Sequence, residues 1–169
     1  MAVILVGGGS RSGKTAYALA RARNFGSRLV YVATAEALDQ EMRARAANHR
    51  AERGQAFTTI EEPLALPELI EQRADAFDAM VVDCLTLWLS NVMLSDGRDT
   101  REATRRLVEA ASGGAGTLIF VTNEVGAGIV PESELARRFR DQAGWLNQQM
   151  AAVADEVYWM AFGCPLRLK

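Results

Sequence analysis

The sequence predicts an α/β domain: a mainly parallel β-sheet with helices on both faces. Two observations predict it. Short apolar, β-branched runs alternate along the chain with segments of helical pattern. Continuous apolar strands separated by helices belong to parallel sheets covered on both sides. Between the first such strand and the first helix lies a glycine-rich turn, and the crossovers of such a sheet are right-handed.

The elements follow in order. Residues 2–6 read as a strand and 13–24 as a helix. Residues 28–33 form a second strand, and 38–53, rich in Glu, Arg and Ala, a helix. A short strand is expected over 57–60, then a helix opened near Pro67. Residues 79–83 read as a buried strand, 100–111 as a helix and 116–122 as a strand. A long helix over 132–154 leads to a last strand, 156–161, and the tail 166–169 is placed to pair at the sheet edge. The glycine-rich stretch 112–116 reads as the most flexible loop.

The length, 169 residues, suits one domain spanning 1–169, large enough to hold a core without metal or disulfide staples. No apolar run approaches the roughly 20 residues that cross a bilayer. The opening apolar run has no basic flank, so no signal peptide is expected. These features predict a soluble, cytoplasmic protein without a membrane span. The net charge of -2 argues against a general nucleic-acid binder. Cys84 and Cys164 make no CxxC, and each is expected as a buried small hydrophobe.

The first chemistry lies in Gly8, Gly9, Ser10, Arg11, Ser12, Gly13, Lys14 and Thr15. They match the phosphate-binding loop G-x-x-x-x-G-K-[ST], with a strand before it and a helix after it. Glycines let the backbone fold into a nest of inward N–H groups, and the helix N-terminus adds partial positive charge. Lys14 can reach the β- and γ-phosphates of a nucleotide. The Thr15 hydroxyl can ligate Mg²⁺. Asp83, at the end of the 79–83 strand, suits the second metal position; the alternative is a cap for the helix that follows.

His49 is the only histidine. On a helix, Arg45, His49 and Arg53 lie along one face. Flanking cations disfavour the imidazolium, so His49 is expected neutral and nucleophilic at pH 7. The arginines can bind phosphate oxygens in forked geometry. By pattern alone, a solvated helical face accounts for the same residues.

Several stretches resemble one family, the bifunctional adenosylcobinamide kinase / adenosylcobinamide-phosphate guanylyltransferase of cobalamin biosynthesis. They run nearly end to end: residues 8–15; Tyr31 to Ala35 with Asp39, Glu41, Met42 and Arg45; His49 and Arg53; Glu61-Glu62-Pro63; and 82–88. The most specific are 122–132 and 136–141, with Gly144, Asn147 and Gln148. The resemblance implies a RecA-like P-loop fold and a homo-oligomer, a trimer. It implies phosphorylation of adenosylcobinamide by ATP or GTP, then transfer of GMP from GTP to adenosylcobinamide phosphate through a guanylylated histidine. His49 stands at the matching position. Ala33, Thr34, Ala35, Arg50, Ala51, Glu52, Arg53, Glu61 and Asp83 are implied to lie around the guanine nucleotide.

Three details depart from the family's pattern. Ser10 stands where Ala is common, Trp145 where Arg is frequent, and the connection 91–100 is short. Gly126 and Gly128 read either as a strand-end turn with positive-φ glycines or as part of the corrinoid site. Trp88, Trp145 and Trp159 are expected in the core or at an interface. Glu61, Glu62, Asp83 and Glu124 are all candidates for a kinase base. The competing readings are a transferase without kinase activity, a plain P-loop small-molecule kinase, and a GTP-binding regulatory switch; the sequence carries no Asn-Lys-x-Asp guanine motif.

Overall fold

The computed structural model describes residues 2–35, 54–73, 76–114 and 116–169. The helix expected over 38–53, with His49, lies outside the described residues.

Seven strands form one sheet: β1 (Val3–Gly8), β2 (Leu29–Ala33), β3 (Phe57–Glu61), β4 (Ala79–Asp83), β5 (Thr117–Val121), β6 (Glu156–Ala161) and β7 (Cys164–Arg167). Their spatial order is β3-β2-β4-β5-β1-β6-β7. Every neighbouring pair is parallel except β6–β7. The described helices are α1 (Lys14–Ala22), α2 (Leu66–Arg73), α3 (Leu85–Leu94), α4 (Thr100–Gly113) and α5 (Glu134–Val153).

Strand alternation builds two cores. Val3 and Leu5, Met80 and Val82, Leu118 and Phe120 face one side, where Leu66, Ile70, Trp88, Leu107 and Leu146 of the four later helices cover them. Ile4 and Val6, Ala79 and Val81, Ile119 and Val121 face the other, where Ala18, Leu19 and Ala22 of α1 pack. Strands sandwiched this way must be apolar on both faces, which is why they read as unbroken runs.

Several expectations need correction. Helix α3 has no bounds in the sequence reading, which names only a helix that follows Asp83. Its run Leu-Thr-Leu-Trp-Leu-Ser-Asn-Val-Met-Leu shows no polar stripe: Leu85, Trp88, Leu89 and Val92 make the buried face, and Leu87 and Leu94 are apolar although exposed; periodicity alone does not find such a helix. The expected loop 112–116 begins inside α4, which continues through Gly113. Pairing of β7 starts at Cys164 rather than at Leu166, because Phe162 and Gly163 turn the chain tightly with φ of 53° and 81°. That edge position leaves Cys164 exposed, whereas Cys84 is buried as expected.

Candidate nucleotide and phosphoryl-transfer site

The parallel strands end along one edge, and β1 delivers the phosphate loop there. Gly8 has φ of 146°, and a Cβ on it would lie 2.6 Å from the Met160 carbonyl oxygen. Gly13, the N-cap of α1, is left-handed with φ of 93°. Both positions therefore need glycine. Arg11 also has positive φ, 55°. No acidic residue stands in the first turn of α1 itself, so the helix does not neutralise its own positive end.

Lys14 crosses this loop. Its side chain is buried, and Nζ donates to the Gly9 carbonyl oxygen at 2.5 Å and to Ser12 Oγ at 3.4 Å. Burial lowers its pKa from the ordinary lysine value, while the Asp83 charge pulls it back up. A cation held partly desolvated gains strongly from a polyphosphate.

Asp83 ends β4, level with Ala33 of β2 and Val121 of β5. Its Oδ2 accepts from Thr15 Oγ1 at 2.7 Å and from the Tyr31 hydroxyl at 2.9 Å. The alternative role as a helix cap fails: the N-cap of α3 is Cys84, and no side chain caps it. Thr15 and Asp83 present hard oxygen donors side by side, which suits Mg²⁺. Among the described residues no cluster of three His, Cys, Asp or Glu could hold a metal. Mg²⁺ needs none, since it takes one or two protein oxygens and completes its shell with phosphate and water.

Thr34 is a brace inside this edge. It is fully buried. Its Oγ1 donates to the Cys84 carbonyl oxygen and accepts from the Cys84 N–H, both at 2.8 Å. Its own N–H donates to the Asp83 carbonyl oxygen at 3.2 Å, and its carbonyl accepts from Asn91 Nδ2 at 2.8 Å. The Asp83–Cys84 peptide that it grips is cis. Burial, then the neighbouring Asp83 charge, pushes the Cys84 thiol pKa up, away from the thiolate that a nucleophile needs.

The remaining candidates separate by what they touch. Ala33 and Ala35 are half-buried at the end of β2, and Glu61 is exposed at the end of β3, in register with Ala33. Glu62 Oε1 accepts from the N–H groups of Leu64 and Ala65, which ties it to the entry of α2. The Glu124 carboxylate accepts from Gly126 N–H. Gly126 and Gly128 are not among the positive-φ residues, so of their two readings the turn with positive-φ glycines fails. His49, Arg50, Ala51, Glu52 and Arg53 lie outside the described residues.

Sequence reasoning missed the side chains that support the site. Tyr31 reads only as a strand residue. Asn123 Nδ2 donates to Thr86 Oγ1 at 2.9 Å, and Thr86 Oγ1 lies 3.0 Å from Cys84 Sγ. Thr122 Oγ1 donates to Asn147 Oδ1 at 2.7 Å, joining β5 to α5. Their positions fall in the stretches that carry the resemblance, but residue type alone gives no signal for the role.

A family model described as cobinamide kinase / cobinamide phosphate guanyltransferase matches residues 4–168. The chain belongs to this family. Members of the cobinamide kinase / guanylyltransferase family are similar to it over their whole length. The bifunctional adenosylcobalamin biosynthesis protein CobP of Pseudomonas aeruginosa is 43% identical over 166 residues, covering 98% of this chain and 96% of that protein. The bifunctional adenosylcobalamin biosynthesis protein CobU of Escherichia coli K12 is 37% identical over 181 residues, covering 99% of each. Among solved structures, the RadB recombinase superposes with a TM-score of 0.56 at 15% identity, over 94% of this chain and 73% of that one. An ATPase from the type III secretion system of pathogenic bacteria gives 0.61 at 12% identity, over 94% of this chain and 50% of that one. These two share the fold, the RecA-like P-loop sheet that the sequence predicts. No helix among the described residues is long and apolar enough to cross a membrane.

Proposed function

We propose that this chain carries both activities of its family on one phosphate loop: phosphorylation of adenosylcobinamide, then guanylyl transfer to the product. The observation that carries the proposal is the convergence of Lys14, Thr15 and Asp83, with the Thr15–Asp83 contact at 2.7 Å. That grouping recognises a nucleoside triphosphate and its metal.

In the first reaction a hydroxyl oxygen of adenosylcobinamide attacks the γ-phosphorus of ATP or GTP. The new O–P bond forms as the bond to the β–γ bridging oxygen breaks. The nucleoside diphosphate leaves, and the hydroxyl proton goes to a base. In the second, an imidazole nitrogen of His49 attacks the α-phosphorus of GTP and pyrophosphate leaves. A phosphate oxygen of adenosylcobinamide phosphate then attacks the same phosphorus, breaks the N–P bond and frees His49. Splitting the transfer in two is the gain from a covalent intermediate.

The chain's residues divide the work. The N–H groups of residues 8–15 and Lys14 hold the phosphates and offset their charge. Thr15 and Asp83 would hold Mg²⁺, which neutralises charge on the phosphate oxygens. Ala33, Thr34, Ala35, Arg50, Ala51, Glu52, Arg53, Glu61 and Asp83 surround the guanine nucleotide, with the internally bonded Thr34 acting through position. The same reading makes the protein a cytoplasmic homotrimer with no nucleic-acid partner.

One assay tests it: cobinamide and cobinamide phosphate offered separately, each with ATP and with GTP. Turnover of cobinamide with either nucleotide, and of cobinamide phosphate with GTP only, supports the reading. Turnover of the phosphate alone removes the kinase half.

A further inference from the structure

The tip of the β6–β7 hairpin touches the phosphate loop. Gly163 N–H donates to the Ser12 carbonyl oxygen at 3.1 Å. A Cβ on Gly13 would lie 3.2 Å from Gly163 Cα, and one on Gly8 would meet the Met160 carbonyl oxygen. The end of β6 therefore packs along the loop from its first glycine to its last. Between these contacts stands Phe162.

Phe162 is an unexpected residue for its place. Both turn positions are left-handed, with φ of 53° at Phe162 and 81° at Gly163. Such two-residue turns favour Asn, Asp or Gly at the first position, where a bulky side chain is disfavoured. The phenyl ring gains no burial in return, since Phe162 is 102% exposed. A strained residue that packs against nothing among the described residues points to a ligand. The neighbouring site specifies which. Phosphates seated on residues 8–15 leave the sugar and base to extend beyond the loop along the same sheet edge. On the β5 side of β1 that edge is occupied by Asn123, Thr86 and Asp83, bonded to one another or to Thr15. On the β6 side it offers an exposed aromatic ring.

We infer that Phe162 is the stacking platform for the base of the phosphoryl donor, the nucleotide whose γ-phosphate the phosphate loop presents in the first reaction. Phenylalanine has no polar group with which to read a base edge, and every base has a π face. The platform thus accepts adenine and guanine alike. That fits a donor site open to both ATP and GTP, with guanine selection made elsewhere, when GMP is transferred. The inference rests on the nucleotide reading of the loop and is independent of the corrinoid chemistry.

The experiment is equilibrium titration, without corrinoid, of the full chain with ATP, GTP (as its α,β-methylene analogue, whose α-phosphate cannot pass to His49) and inorganic tripolyphosphate. Phe162→Ala is expected to weaken ATP and GTP binding by the same factor, roughly 5- to 150-fold, the range for losing one base–aromatic stack. Tripolyphosphate, which has no base, keeps its affinity. Phe162→Trp restores nucleotide binding. Phe162→Asn, which suits the turn but lacks the ring, matches Phe162→Ala in binding while melting no lower than wild type. Unchanged nucleotide affinity in Phe162→Ala overturns the inference. So does an equal loss for tripolyphosphate, which would make the hairpin a mere prop for the loop. A loss that follows a change in oligomeric mass by light scattering also overturns it, since the ring would then meet a second copy. Failure of wild type to bind tripolyphosphate removes the loop reading itself, a separate result.

Discussion

Thr15 Oγ1 and Asp83 Oδ2 are 2.7 Å apart, although 68 residues separate them in sequence. The first opens α1 and the second ends β4, so two strand ends deliver one pair of oxygens. Asp83→Ala is expected to lower kcat on the order of 10²–10³-fold, the scale for removing one electrostatic group from a transition state. Thr15→Ser, which keeps the hydroxyl, is expected to stay near wild type. Steady-state rates over a Mg²⁺ titration check both.

Tyr31 holds the same carboxylate oxygen, at 2.9 Å. In the proposed function Asp83 holds Mg²⁺; partners that orient a metal ligand matter nearly as much as the ligand, and losing one typically weakens metal binding by about 10–100-fold. Tyr31→Phe keeps the ring in the core and deletes only the hydroxyl. We expect weaker Mn²⁺ binding to the nucleotide complex, read by electron paramagnetic resonance, with an unchanged melting temperature in the metal-free protein. Unchanged Mn²⁺ affinity would make the hydroxyl purely architectural.

Lys14 sets a pH dependence. Burial holds its pKa below the ordinary lysine value in the empty loop. Folding therefore favours the neutral amine, and the unliganded fold gains stability as pH rises through the folded pKa toward the unfolded one. Bound phosphates favour the ammonium and raise its pKa. Nucleotide affinity is flat below the free-loop value and falls as pH rises above it, with proton uptake on binding. Calorimetry in two alkaline buffers of different ionisation enthalpy measures that uptake, and Lys14→Met should abolish it.

Thr34 tests the brace. Thr34→Val removes the one hydroxyl that meets both the N–H and the carbonyl of Cys84. Leaving buried backbone groups unpaired costs about 1–3 kcal/mol each. A lower melting temperature is expected by calorimetry, with recovery in Thr34→Ser. A stability equal to wild type would contradict the brace and return Thr34 to a contact role.

Much of this was legible in the chain. The strands are sandwiched, so they are written as apolar runs between helices, and the Gly8–Thr15 spacing is fixed by what a phosphate nest needs. Asp83 was legible as a strand-end acid with two readings, a metal position or a helix cap, because both use the same residue at the same place; with Cys84 as the N-cap of α3, the cap reading falls. The extent of helix α3 was not legible, since Leu87 and Leu94 make its exposed side apolar as well and erase the polar stripe that marks a helix. Tyr31, Thr34 and Asn123 act through hydrogen bonds to residues distant in sequence, and no local spacing encodes those. Phe162 gave no signal either, because its meaning lies in its exposure and its left-handed turn.

The central claim is that one chain both binds GTP on the phosphate loop and takes its α-phosphate onto His49. Incubation with GTP labelled at the α-phosphate tests it most directly. The account predicts label on the protein that is stable to base, labile to acid and lost in His49→Ala. No label on the wild type, or label retained in His49→Ala, would contradict it.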